Sequence, residues 1–170
     1  MPWIENIPLE NVAKGQHHAC GENSMLIQIS DHDMAFPTPK HQFKEVHQFT
    51  FLDIEEDGMT NTGGVMIDLS EFAITDEQAA ELVRLLQHAW ENRMNVVVHC
   101  HAGICRSGAV CEVGVMMGFN DCERFRMPNL LVKHKMMRVL GWTYDSEEKT
   151  YEVNGTVNEW GFIMPKHQVD

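Results

Sequence analysis

The run Val96-Val97-Val98-His99 constrains this chain more than any other segment: it is β-branched and nearly all apolar. With no polar residue in alternate positions, it predicts a central strand covered on both faces, as in a sheet packed between helices. The strongest helix signal lies just upstream. Thr75 stands as N-cap with Gln78 three residues on, Asp76 and Glu77 fill the first turn, and Ala79, Leu82, Val83, Leu86, Ala89 and Trp90 recur at three- and four-residue spacing. A strand, a helix and a second strand in that order require a parallel pair joined by a crossover. The expected fold is therefore α/β, with a central, mainly parallel sheet flanked by helices.

The remaining elements read around that unit. Met25 to Ser30 predicts the first clear strand, followed by a Pro37-Thr38-Pro39 turn, and His41 to Lys44 predicts a short helix. Glu45 to Leu52 alternates as a half-buried strand should and ends on Asp53, Glu55, Glu56 and Asp57. Gly58 to Ala73, rich in Gly, Thr and Asn, predicts a loop with one short strand at Val65-Met66-Ile67. Pro128-Asn129 leads into a helix from Leu130 to Leu140 with a Gly141 stop, and the tail from about 142 to 165 predicts a hairpin around Asn154-Gly155. A chain of 170 residues buries enough surface for one core without staples, so a single domain is expected.

Charge and cysteine content narrow the partners. Thirteen basic against 25 acidic residues give a net charge of -12, which disfavours nucleic acid and anionic membrane surfaces. No apolar run approaches a bilayer span, and Met1-Pro2-Trp3-Ile4-Glu5-Asn6 lacks a signal-peptide pattern, so the expected location is the cytoplasm. Cys20, Cys100, Cys105, Cys111 and Cys122, odd in number and without a CxxC pair, read as thiols. His17-His18, His32, His41 and His47 lack ligand spacing with Cys or carboxylates, so neither a metal nor a cofactor is expected.

The chemistry is concentrated after the buried strand, in His99-Cys100-His101-Ala102-Gly103-Ile104-Cys105-Arg106-Ser107-Gly108, which runs into an apolar helix through Met117. A strand, a tight Gly-containing loop and a helix start gather backbone N–H groups around one point at the positive end of a helix dipole, a nest for a tetrahedral oxyanion. Cys100 at the strand end faces that nest, where the amides and Arg106 favour its thiolate form. Arg106 can bind two phosphate oxygens through parallel hydrogen bonds, and Ser107 can donate to the Cys100 sulfur as it leaves. A thiolate on the floor of such a cradle is a phosphoryl-accepting nucleophile.

This pattern, His-Cys-x-Ala-Gly-x-x-Arg-Ser-Gly, resembles the signature of the cysteine-dependent protein tyrosine phosphatases, specifically their small dual-specificity branch. The resemblance covers roughly residues 45 to 140 and includes Pro128-Asn129, similar to the Pro-Asn that opens the next helix and braces the catalytic loop in that branch. It implies hydrolysis of phosphate monoesters in two steps. Cys100 attacks phosphorus to give a cysteinyl phosphate while an aspartic acid protonates the leaving oxygen, and the same carboxylate then activates water. His99 would orient the loop and His101 would face the substrate. Phe51-Leu52-Asp53 resembles the strand ending of several superfamily members and favours Asp53 as the acid; Asp68, 32 residues before Cys100, matches by spacing, and Asp57 is a third candidate.

Cys105, directly before the arginine, departs from the dual-specificity pattern and is similar to the low-molecular-weight tyrosine phosphatases, in which a second cysteine traps the oxidised first as a disulfide. Cys105 or Cys111 would then protect Cys100. The loop lacks the Lys residues of phosphoinositide-selective members, so the expected substrate is a phosphoprotein or a small phosphomonoester. Two other readings stand beside this one: a pseudophosphatase that binds phosphorylated partners without a working acid, and a thiolate enzyme of rhodanese or arsenate-reductase type. Arg106-Ser107-Gly108 weighs against rhodanese and arsenate-reductase chemistry.

Overall fold

The computed structural model describes residues 1–54, 59–62, 65–145, 150–153, 156–157 and 163–164. In chain order the elements are β1 (Trp3–Pro8), α1 (Leu9–Lys14), β2 (Ser24–Ser30), β3 (Glu45–Thr50), β4 (Met59–Thr62), β5 (Val65–Asp68), α2 (Asp76–Glu91), β6 (Asn95–Cys100), α3 (Arg106–Met117), β7 (Asn120–Asp121), α4 (Leu130–Val139), β8 (Trp142–Asp145), β9 (Thr150–Val153), β10 (Thr156–Val157) and β11 (Ile163–Met164). The main sheet has five strands in the order β3-β2-β6-β1-β7, and every pairing is parallel. No helix among the described residues is long and apolar enough to cross a membrane.

The Val96-Val97-Val98 run occupies the middle of that sheet for the reason its composition demands. Val96 and Val98 point into the larger core, with Ile4, Met25, Ile27, Leu82, Leu86, Val110 and Val113, while Val97 joins Ile7, Val12, Leu26 and Phe43 on the opposite face. The larger core is roofed by α2, α3 and α4, with α4 packed against both of its neighbours, and the smaller one by α1 and the segments around Cys20 and Phe43. The Thr75 capping box forms as its sequence predicts: Thr75 accepts from the Gln78 backbone N–H at 3.0 Å and Gln78 accepts from the Thr75 N–H at 3.0 Å. Gln78 also donates to the Thr50 carbonyl at 3.0 Å, which fixes α2 to the end of β3.

Four expectations are corrected. The sheet begins at β1, ahead of Met25, and β1 pairs along its length with β6. His41 to Lys44 forms no helix, because Phe43 turns into the smaller core and the Lys44 N–H is taken by the Ser24 carbonyl. The stretch from Gly58 to Ala73 holds two strands, β4 and β5, paired as an antiparallel hairpin, and then a 3-10 turn at Ser70–Phe72. In the tail, β9 pairs back with β8 and β10 pairs with β11; Asn154-Gly155 itself lies outside the described residues.

Candidate active site

Residues 101–105 join the end of β6 to the start of α3, and their carbonyl groups are held from outside. The Leu9 N–H donates to the His101 carbonyl at 3.2 Å and the Asn6 side-chain amide to Gly103 at 2.7 Å. The Met127 N–H donates to Ile104 at 3.2 Å and the Asn129 N–H to Cys105 at 2.9 Å. With four carbonyls drawn outward, the peptide planes turn their N–H groups toward the concave side, the geometry of an anion nest. Gly103 makes the close approach possible: its φ is +74°, and a Cβ there would lie 2.3 Å from the backbone of Ile7 and Pro8.

The nest opens into a cavity of about 240 Å³ lined by Asp31, Met34, Asp53, Cys100, His101, Ala102, Cys105 and Arg106. It sits at the carboxyl ends of β2, β3 and β6, where ligands enter parallel α/β sheets. Cys100 is buried at its floor, and the Ser107 hydroxyl lies 3.2 Å from its sulfur. Arg106, 5% exposed, donates through Nη1 to Asp31 Oδ1 at 2.6 Å and to the Phe51 carbonyl at 2.8 Å, while its Nε meets no hydrogen-bond partner. The guanidinium plane is thus fixed from one side, with a buried donor left over for a ligand.

Asn129 connects the loop to the acidic strand end. Its side chain accepts from the Val132 N–H at 3.0 Å as N-cap of α4 and donates to Asp53 Oδ1 at 2.7 Å and to the Ile54 carbonyl at 3.0 Å. Asp53, exposed and tied in this way, stands on the cavity wall. Asp68 ends β5, paired with Met59, and Asp57 lies outside the described residues. His99 is fully buried in β6 and donates from Nδ1 to the Cys100 carbonyl at 3.4 Å; burial drives its pKa down to about 4, so the ring is neutral at pH 7.

Of the two candidate protective thiols, Cys105 shares the cavity with Cys100. Cys111 is buried inside α3, where desolvation pushes its pKa up to about 12 and its thiol donates to the Ile4 carbonyl at 3.7 Å. Asp31 and Asn6 went unnoticed in the sequence. Asp31 had a usable signal, a carboxylate directly after a strand at the carboxyl edge of a parallel sheet. Asn6 had none, since its role depends on β1 lying beside β6. Among the described residues no three His, Cys or carboxylate side chains converge as ligands in this cavity. No family model matches the chain, and no curated protein matches it.

Proposed function

We propose that this chain is a cysteine-dependent phosphatase of the dual-specificity type, hydrolysing a phosphoprotein or a small phosphomonoester through a cysteinyl-phosphate intermediate. The observation that carries the reading is the tethered loop: four outward-held carbonyls around a cavity that has Cys100 at its floor and an unpartnered Arg106 Nε on its wall. A phosphoryl group entering there accepts from the inward amides, and Arg106 offers Nε–H and its outer edge while Nη1 stays on Asp31 and Phe51.

The Cys100 thiolate attacks phosphorus and the bond to the ester oxygen breaks, with Asp53 supplying the proton to the leaving alkoxide or phenoxide. Ser107 donates to the sulfur as the thiophosphate is cleaved by a water that Asp53 deprotonates, and Cys100 departs as thiolate. His99, neutral and buried, sets the orientation of the Cys100 backbone rather than exchanging protons with substrate. Cys105 lines the same cavity as Cys100; if peroxide oxidises Cys100 to its sulfenic acid, the Cys105 thiol condenses with it, expelling water and leaving a reducible disulfide.

Hydrolysis of para-nitrophenyl phosphate in the presence of EDTA tests the reading. Wild type is expected to turn over, Cys100→Ser to be inactive, and Asp53→Asn to lose the limb of the pH profile that reports the protonated acid. A wild type that binds vanadate or phosphopeptide but does not turn over would make the chain a phosphoryl-binding module instead.

A further inference from the structure

Glu5 is a carboxylate in the wrong place for one. It sits inside β1, 1% exposed, level with Val97 and on the sheet face that also carries the apolar Ile7 and Leu26. A charge buried there needs compensation close at hand. Its Oε1 receives Arg124 Nη1 at 3.3 Å, from a side chain that is itself 37% exposed. Its Oε2 meets His18 Nδ1, and the Cys122 sulfur approaches the same carboxylate. Imidazole nitrogen, thiol sulfur and carboxylate oxygen lie within 4.8 Å of one another, brought together from β1, the loop after α1 and the exit from β7.

We infer that Glu5, His18 and Cys122 bind a divalent cation of the zinc type, Glu5 through Oε2, His18 through Nδ1 and Cys122 as thiolate, with its thiol proton released to solvent. A mixed oxygen, nitrogen and sulfur donor set suits a borderline-soft ion and not magnesium or calcium. Tetrahedral zinc wants its donors about 3.3–3.8 Å apart, so the three donors have to regroup around an ion: His18 Nδ1, now in hydrogen-bond contact with Glu5 Oε2, draws back from it, while all three atoms already lie within 4.8 Å of one another. That adjustment falls on His18, which is 60% exposed on a loop and leans on the Trp3 ring at 5.7 Å. Arg124 keeps Oε1 and holds the carboxylate to one ligating oxygen, the supporting contact such ligands require. A cavity of about 450 Å³ lined by Glu5, Asn11, Gln16, His17, His18 and Arg124 opens onto the site, giving an entry path and room for a water as fourth ligand. Sequence spacing could not show this, because the donors are separated by 13 and 104 residues.

Titration of the reduced, chelator-stripped chain with cobalt(II) chloride, followed by displacement with zinc(II) chloride, decides the matter without any activity assay. One equivalent of cobalt is expected to bind with a sulfur-to-metal charge-transfer band in the near ultraviolet. That band is expected to persist in Cys100→Ser, vanish in Cys122→Ser, and require about 100-fold more metal in His18→Ala. His18 is exposed, so this last variant carries the test if Cys122→Ser fails to fold. A band absent from wild type, or lost in Cys100→Ser and kept in Cys122→Ser, overturns the proposal and leaves Glu5 as a buried carboxylate satisfied by hydrogen bonds alone. Unchanged affinity in His18→Ala overturns it equally.

Discussion

In the proposed phosphatase, Arg106 holds the phosphoryl group with one edge while something else holds the other. Asp31 Oδ1 at 2.6 Å and the Phe51 carbonyl at 2.8 Å both take Nη1, so rotation of the guanidinium breaks two contacts at once. On that proposal Asp31 is a positioning residue whose service is an acceptor oxygen, since its negative charge would oppose an incoming phosphoryl dianion. Two variants separate these effects. Asp31→Ala removes the acceptor and is expected to lower kcat/KM by about 10- to 100-fold through misplacement of Arg106. Asp31→Asn keeps an acceptor, removes the repulsion and is expected to restore most of the loss, with vanadate affinity at or above that of wild type. Full pH profiles check the assignment: if Asp31→Asn loses the limb that reports the protonated acid and Asp53→Asn keeps it, Asp31 is the general acid.

At the level of elements, what could be read in the sequence was what local physics determines. The α2 start was legible because the capping box is a four-residue event, and both of its reciprocal hydrogen bonds form. Thr75→Ala removes one of them and is expected to cost about 1 kcal/mol, lowering Tm by about 3 °C in a calorimetric scan; an unchanged Tm would mean that water caps the freed N–H groups equally well. The β6 strand and its loop were legible because burial on both faces leaves an unbroken apolar run. The β1 strand was not, because Glu5 and Asn6, both 1% exposed, break its apolar pattern, with partners more than 90 residues away in Gly103, Arg124 and Phe125. In the β4–β5 hairpin, Gly63-Gly64 between Thr62 and Val65 was the two-residue signal that a reading of the segment as a loop overlooked. Cys100, Arg106 and Ser107 came together as the motif required, whereas Asp31 joined them through a sheet order no local pattern encodes.

For the whole molecule, two opposing effects set stability in mild acid. With a net charge of -12 at pH 7 and an isoelectric point near 5.2, falling pH relieves self-repulsion and favours the folded chain. His99 acts in the other direction. Its pKa lies at about 4 in the folded state, because burial disfavours the cation, against 6.5 for the unconstrained ring. The unfolded chain therefore binds the proton first, so the His99 contribution is intact above pH 6.5 and is lost progressively as pH falls from 6.5 through 4. Between pH 7.5 and 5.0 that loss amounts to about 2 kcal/mol. Glu45 titrates lower: burial alone would raise its pKa, but hydrogen bonds with His47 and His88 bring the net shift below the usual carboxylate value, placing its effect at more acid pH. Urea unfolding at pH 7.5, 6.0 and 5.0 separates the contributions when wild type is compared with His99→Gln, which keeps the global charge effect and lacks the titration. The variant is expected to lose about 2 kcal/mol less than wild type over that range. Equal slopes would mean that the buried ring accepts its proton without penalty, and the central strand would then tolerate a charge at its carboxyl end.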